Sequence, residues 1–438
     1  MDAAPFRALR YDTAVVGRLL AATAPAYDEL SPHIYARHRT ANPYTVLQLL
    51  APEAPPGAAA AASYGSAAQA YRRLRRTGVL VEDPTPSFFL YELHALRSGR
   101  PVRMRGLLAA VAAGDAAASG IAVHEAVDPP RVARRAARLQ EVPVDLAPVL
   151  VIAPKLPAGL RHLLDRTPDT PPVVALTDED GVDHRVWPRG NPEEVRVVRR
   201  GLAEAVGVIA DGHHRWAAAQ RHVGRLLGQT PCACGDGHAP WRTLAMVVDA
   251  THDGPQVQAV HRLLPVLPAD WAQRLGVHFT LTRQPPDVQA LQAAMISDGL
   301  VLGLLVPDGA VLLRARDPVA LRARLPVGAS AAWRALDAAL VEHVVLPLLG
   351  VEPDSAQARA DPLAAAQEVL PTGASPTVPG STARGAPDGP ALLLMRAPSP
   401  AAVAAIALGG ERLPAKSTSF RPKPRTGLLM RAVRPREA

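Results

Sequence analysis

The stretch Val206-Gly207-Val208-Ile209-Ala210-Asp211-Gly212-His213-His214-Arg215-Trp216-Ala217-Ala218-Ala219 decides how the chain is read. Its apolar run from Val206 to Ala210 has the length of a buried strand. Asp211-Gly212 is a turn dipeptide. The Ala-rich segment 213–227 predicts a helix, with Trp216, Ala219, Val223 and Leu226/Leu227 on its apolar face. Strand, tight turn and helix therefore follow one another, with His213, His214 and Arg215 in the first helical turn. A helix start presents backbone N–H groups and a partial positive charge, so anions settle there. Gly212 lets a ligand approach the backbone with no Cβ in the way. Arg215 adds a fork of donors suited to phosphate. Cationic side chains here oppose the helix dipole, which argues for a ligand. The competing reading is a solvated basic helix end.

Two further stretches carry chemistry. Ile121-Ala122-Val123-His124-Glu125 reads as a strand end that offers a general base, with an exposed strand terminus as the alternative. Leu413-Pro414-Ala415-Lys416-Ser417-Thr418-Ser419-Phe420-Arg421-Pro422-Lys423 holds two of the chain's three lysines, in a sequence that otherwise writes arginine. A compact ammonium suits a phosphate oxygen. Lys416, Ser417 and Thr418 supply one cation and two hydroxyls, a candidate second anion clamp. It is not a Walker motif, since the preceding glycine loop is absent. A basic surface tail is the alternative.

Asp211-Gly212-His213-His214-Arg215 resembles the signature of the domain-of-unknown-function 1015 family. The resemblance extends to Phe6-Arg7-Ala8-Leu9 and to Ala24-Pro25-Ala26-Tyr27-Asp28, where Ala26 replaces a second proline. It continues through Pro43-Tyr44-Thr45, where Thr45 replaces Asn, and His124-Glu125, where Val123 replaces a proline. His261-Arg262 and the 413–423 segment are similar to the family as well. The turn also resembles, less specifically, the phosphate-binding turn of the ParB/sulfiredoxin superfamily, which includes free-serine kinases. That likeness implies a nucleotide-binding core. A sulfiredoxin-like reductase is disfavoured, because the turn carries His213 where that chemistry needs a cysteine.

Length and composition set the frame. The 438 residues hold two or three domains, and 48% hydrophobic residues bury a substantial core. No apolar run is long enough to span a bilayer, and 1–7 lack the pattern of a signal peptide, so a cytoplasmic protein is expected. The net charge of +8 invites a nucleic-acid reading, but single and paired arginines are scattered and aromatics are only 4%. Nucleic acid is therefore disfavoured as a partner. Cys232-Ala233-Cys234 with His238, and His222 nearby, offers a partial zinc set; a loop with reduced thiols is preferred, and no metal site is assigned.

The remaining elements read coarsely from pattern. Helices are expected over 14–22, 66–77, 193–206, 287–297, 318–325, 331–349 and 400–408. Strands are expected over 42–49, 87–93, 102–112, 148–152, 173–176, 183–187, 244–248 and 391–395. Asp308-Gly309 predicts a hairpin across 300–314. Domains are expected at 1–264 and 265–370, with a low-complexity linker at 371–390 and a segment at 391–438 returning to the site.

The expected fold is α+β, a ParB/sulfiredoxin-like phosphate-binding core with large α/β insertions. The expected function is phosphotransfer from ATP or ADP, with Mg²⁺, to a small hydroxyl compound such as free serine. The alternative is a ParB-like nucleotide-binding or nucleotide-hydrolysing switch. Gly212, His214 and Arg215 would cradle phosphates, with Lys416, Ser417 and Thr418 as second clamp. Asp211 would hold Mg²⁺ or orient the hydroxyl. Glu125, Asp28 and His213 complete the candidate catalytic set. Oligomeric state is left open.

Overall fold

The computed structural model describes residues 1–26, 30, 32–50, 60–97, 100–114, 119–227, 242–296, 299–370 and 389–433. It is a mixed α+β chain that divides into two units, Met1–Pro255 with Pro422–Ala438, and Gln256–Arg421. The division differs from the expected one at 264/265. Gln256–Ala259 and His261–Leu264 pair with strands of the second unit, so the boundary falls earlier. The closing segment is split at 421/422 for the same reason.

The first unit is built on a nine-stranded sheet. Its order runs Ile121–Ala122, Gly207–Asp211, Val149–Ala153, Arg242–Asp249, Arg100–Ala112, Phe88–Arg97, Asp183–Arg189, Val174–Thr177, with Ala3–Ala4 on Arg100–Ala112. The strands expected at 87–93 and 102–112 pair with each other as Phe88–Arg97 and Arg100–Ala112, Phe89 opposite Leu108 and Leu93 opposite Met104. Gly207–Asp211 is flanked on both sides, which is why it reads as an unbroken apolar run. Trp216, Ala219 and Val223 of the His213–Leu227 helix enter the core with Val151, Ile209 and Val247, as the apolar stripe requires.

A smaller four-stranded sheet ties the chain's ends together, in the order Leu80–Glu82, Ala8–Tyr11, Met430–Ala432, Val144–Asp145. Backbone bonds from Thr426 N to Ala24 O (2.9 Å) and from Gly427 N to Leu146 O (2.7 Å) hold the returning segment. Arg425 is buried there, its guanidinium donating to both Glu179 oxygens at 2.6 and 3.0 Å and to Thr23 Oγ1 at 2.7 Å.

The second unit has a six-stranded antiparallel sheet, Phe279–Gln284, Gly309–Ala315, Val301–Val306, Ala391–Leu394, His261–Leu264, Gln357–Arg359. Val288–Ala294 and Pro362–Gln367 cover it through Leu291, Ala365 and Ala366. The Asp308-Gly309 hairpin is present, with Val306 opposite Gly309.

Three local expectations are corrected. Residues 42–49 form no strand: Asn42 Oδ1 accepts from Tyr44 N at 2.8 Å and Thr45 caps a 3₁₀ turn at Val46–Gln48. The helix over 14–22 breaks at Gly17, which takes φ 68°. The helix over 331–349 breaks at Leu336, where the backbone is extended. It then passes through a π turn at Val341–Val345, just ahead of Pro347, whose ring cannot fit a regular i−4 carbonyl. No helix among the described residues is long and apolar enough to cross a membrane.

Candidate functional site

Parallel pairing creates the site. Gly207 lies opposite Ile121 and Val208 opposite Ala122, so both strands leave the sheet at the same edge. His124-Glu125 therefore emerges beside Asp211-Gly212-His213. On the other flank the register with Val149–Ala153 shifts between Ile209 and Asp211, a bulge that ends the pairing where the turn begins. Gly212 takes φ 97°, and a Cβ there would sit 2.9 Å from the Arg215 guanidinium. The first helical bond runs from Trp216 N to Gly212 O at 2.9 Å. The Pro129–Glu141 helix packs against this helix through Val132, Ala136 and Ala218, and its Arg131 and Arg135 both act on His214.

Asp211 is held by two cations. Arg215 Nη2 donates to Oδ2 at 2.5 Å, and Lys423 Nζ lies 3.1 Å from Oδ1. Arg215 Nη1 donates onward to Pro148 O at 2.6 Å. Burial alone would raise the Asp211 pKa, but Lys423, Arg215 and then Arg135 outweigh it and hold the carboxylate below its usual range. Both oxygens face cations, so Asp211 does not fit the expected roles of Mg²⁺ ligand or hydroxyl orienter. It is the anchor that fixes Arg215 and Lys423.

The imidazoles differ from a simple cationic cluster. His214 Nε2 accepts from Asp128 N at 3.0 Å. Burial, then Arg135 and Arg131, lower its pKa against the opposing pull of Asp128. A neutral ring accepting at Nε2 carries its proton on Nδ1, ready to donate. His124 Nδ1 sits 2.6 Å from Ile209 O, and burial pushes its pKa down to about 4 although that bond and Asp211 act the other way. A neutral His214 does not oppose the helix dipole, and Arg215 is offset by Asp211, which eases the conflict the sequence posed. His213 packs edge-on to His124, centroids 4.4 Å apart, and its Nδ1 is 3.6 Å from Glu125 Oε2.

The predicted residues fall into three groups. Asp211, Gly212, His213, His214, Arg215 and Glu125 come together at one sheet edge. Lys416, Ser417 and Thr418 belong to the second unit: the Lys416 carbonyl accepts from Arg262 Nη1 at 3.2 Å, Ser417 Oγ donates to Pro414 O, and Thr418 pairs with Ala259. Asp28 and the Cys232–Cys234–His238 loop lie outside the described residues. The 413–423 motif thus contributes Lys423, not Lys416, to Asp211. Arg131 was not singled out by the sequence. Arg135 and Arg138 join Arg215 around a small recess of 50 Å³.

Residues 3–339 match the family described as protein of unknown function (DUF1015). The chain belongs to the DUF1015 family. The DUF1015 match ends before Lys423, so one of the two cations on Asp211 comes from beyond the matched span and the other, Arg215, from within it. Among solved structures the chain is similar to a C-terminally truncated SbnI from Staphylococcus aureus (13% identity, 72% of this chain and 82% of that one, TM-score 0.33). A mutant free serine kinase in complex with ADP gives 14% identity, 70% and 87% coverage and a TM-score of 0.33. A conserved hypothetical protein from Pyrococcus furiosus gives 12% identity, 70% and 90% coverage and a TM-score of 0.29. No curated protein sequence matches this one.

Proposed function

We propose that this DUF1015 protein binds the phosphates of ATP or ADP at the Gly212–His214 helix start and transfers a phosphoryl group to a small hydroxyl compound, free serine being the substrate class to test first. One observation carries the reading: Arg215 and Lys423 converge on Asp211 at that helix start, while Arg131 and Arg135 face it from the packed helix. Arg215, Lys423, Arg131 and Arg135 outnumber the carboxylates of Asp211, Glu125 and Asp128 by four to three, which leaves a positive site, and phosphoryl transfer needs positioning and positive charge more than covalent help. His214 supplies a neutral Nδ1–H donor. Glu125, whose side chain is 27% exposed, is the carboxylate placed to take the hydroxyl proton. Mg²⁺ enters with the nucleotide as substrate, since Asp211 does not fit it.

A nucleotide-binding switch is the second reading, favoured by the engagement of Asp211 with Arg215 and Lys423, which takes the carboxylate at the helix start out of catalysis. The test is phosphorus NMR of the protein with Mg²⁺-ATP or Mg²⁺-ADP and a panel of free amino acids. A new phosphomonoester with a hydroxy-amino acid is the expected result; bare phosphate release supports the switch. Calorimetry on Arg215→Ala checks the site itself: unchanged nucleotide affinity overturns both readings.

A further inference from the structure

His124, Glu125 and His213 each offer a ligand atom, and these atoms lie within 4.8 Å of one another. We propose that the three form a binding site for one divalent first-row transition ion, Zn²⁺ being the type case. The sequence reading assigned no metal here, because the two halves of the set are 88 residues apart in the chain and meet only through the parallel pairing of Ile121–Ala122 with Gly207–Asp211.

Three features make this a built site. The first is spacing. Two ligands each about 2.1 Å from a tetrahedral zinc are about 3.4 Å apart, and Glu125 Oε2 and His213 Nδ1 are separated by 3.6 Å. That separation is too long for a hydrogen bond between those atoms and fits a shared ion. The second is orientation. Ile209 O can only accept, so His124 Nδ1 carries the proton and Nε2 presents its lone pair. A ligating imidazole ordinarily donates its other N–H to a carbonyl or carboxylate in this way. The third is access: the rings are buried, 1% exposed for His124 and 6% for His213, while the Glu125 side chain is 27% exposed, and three protein ligands leave the fourth position of a tetrahedral ion to a small ligand.

Donor chemistry selects the ion. Mg²⁺ and Ca²⁺ take oxygen ligands, whereas two imidazoles and one carboxylate suit Zn²⁺, Fe²⁺ or Mn²⁺. His213 opens the site helix, so the ion sits next to the proposed phosphate cradle. Resting on the phosphotransfer reading, a hydroxyl bound to the ion would lose its proton more readily. Ligation through Oε2 leaves Glu125 Oε1 to take that proton, so the ion and the proposed base share one carboxylate.

The experiment uses the full chain with Cys232→Ser and Cys234→Ser, which removes the thiols that could compete for zinc. After chelator stripping, the protein is titrated with Zn²⁺ or Co²⁺ in the absence of nucleotide. One ion per chain is expected, with a cobalt visible spectrum of nitrogen and oxygen ligation and no thiolate charge-transfer band. Loss of an outer-shell partner already costs about 10–100-fold in affinity, so Glu125→Gln and His213→Gln should each weaken binding by ~100-fold or more. Arg215→Ala should keep the ion, which separates failure of this site from failure of the phosphate site. No ion bound by the thiol-free chain, or parent-like affinity in Glu125→Gln, overturns the proposal. Should a variant fail to fold by circular dichroism, cobalt is titrated into a thiol-free chain that also carries His252→Ala, which breaks the other candidate cluster among the described residues, Asp165 with His252 and Asp253: retained nitrogen and oxygen ligation supports the site, and absence of bound cobalt overturns it.

Discussion

Lys423 Nζ lies 3.1 Å from Asp211 Oδ1, joining the returning C-terminal segment to the last residue of the Gly207–Asp211 strand. The other oxygen of the same carboxylate takes Arg215. One anion thus organises two cations, and the three are mostly shielded, with side-chain exposures of 7% for Lys423, 17% for Asp211 and 22% for Arg215.

That asymmetry predicts an order of damage. Asp211→Asn removes the anion and leaves an ammonium and a guanidinium facing one amide; a stranded, largely buried charge costs about 3 kcal/mol. Lys423→Met leaves Asp211 still paired with Arg215 and should cost about 1–2 kcal/mol. Urea unfolding of both variants checks the order. Equal losses, or a larger loss for Lys423→Met, would contradict the anchor role of Asp211.

Gly212 and Gly224 form an internal comparison within a few turns of one helix. Gly212 takes φ 97°, and a methyl there meets the Arg215 guanidinium, which Asp211 and Pro148 already hold. Gly212→Ala should lose roughly 1–3 kcal/mol from backbone strain and displace Arg215, weakening nucleotide binding by about tenfold or more. A Cβ at Gly224 meets nothing within 4 Å, so Gly224→Ala should gain roughly 0.5–1 kcal/mol and leave binding alone. Stability by denaturant melts and affinity by calorimetry on the pair separate the strained turn from a general intolerance of the helix.

How far the sequence carried this picture follows from the range of the interactions involved. Strand, turn and helix over 206–227 were legible because apolar run, Asp-Gly and the Trp216–Ala219–Val223 stripe are local signals. The Asp308-Gly309 hairpin was legible for the same reason. Residues 42–49 were misread because an apolar run was weighed above the side-chain bonds of Asn42 and Thr45, which turn the backbone instead. The break at Leu336 was invisible, since Asp337 answers to distant Arg396, which donates to it from Nη2 at 2.8 Å. Likewise the meeting of His124 with His213, and of Lys423 with Asp211, depends on sheet order and on where the closing segment returns. No spacing along the chain encodes either.

In the second unit His261 provides a pH test of the fold. Its ring is 1% exposed, and Met395 N donates to Nδ1 at 3.1 Å, so the folded ring must be unprotonated there. Burial, then Arg262, pushes its pKa down from 6.5 to about 4, with Asp361 pulling weakly upward. The sign follows from proton counting. Above pH 6.5 neither state binds the proton and His261 contributes no pH dependence. Between 6.5 and 4 the unfolded chain takes up the proton while the folded ring resists, so stability falls as pH falls. The slope approaches about 1.4 kcal/mol per pH unit, and the whole window amounts to roughly 3 kcal/mol. Carboxylates contribute in the same direction, so the measurement is a comparison: denaturant melts of parent and His261→Phe at pH 7 and pH 5. The variant starts less stable, having lost the Met395 bond, but should lose less on acidification by about 1–2 kcal/mol. Equal losses in the two proteins would show that His261 is protonated in the folded state.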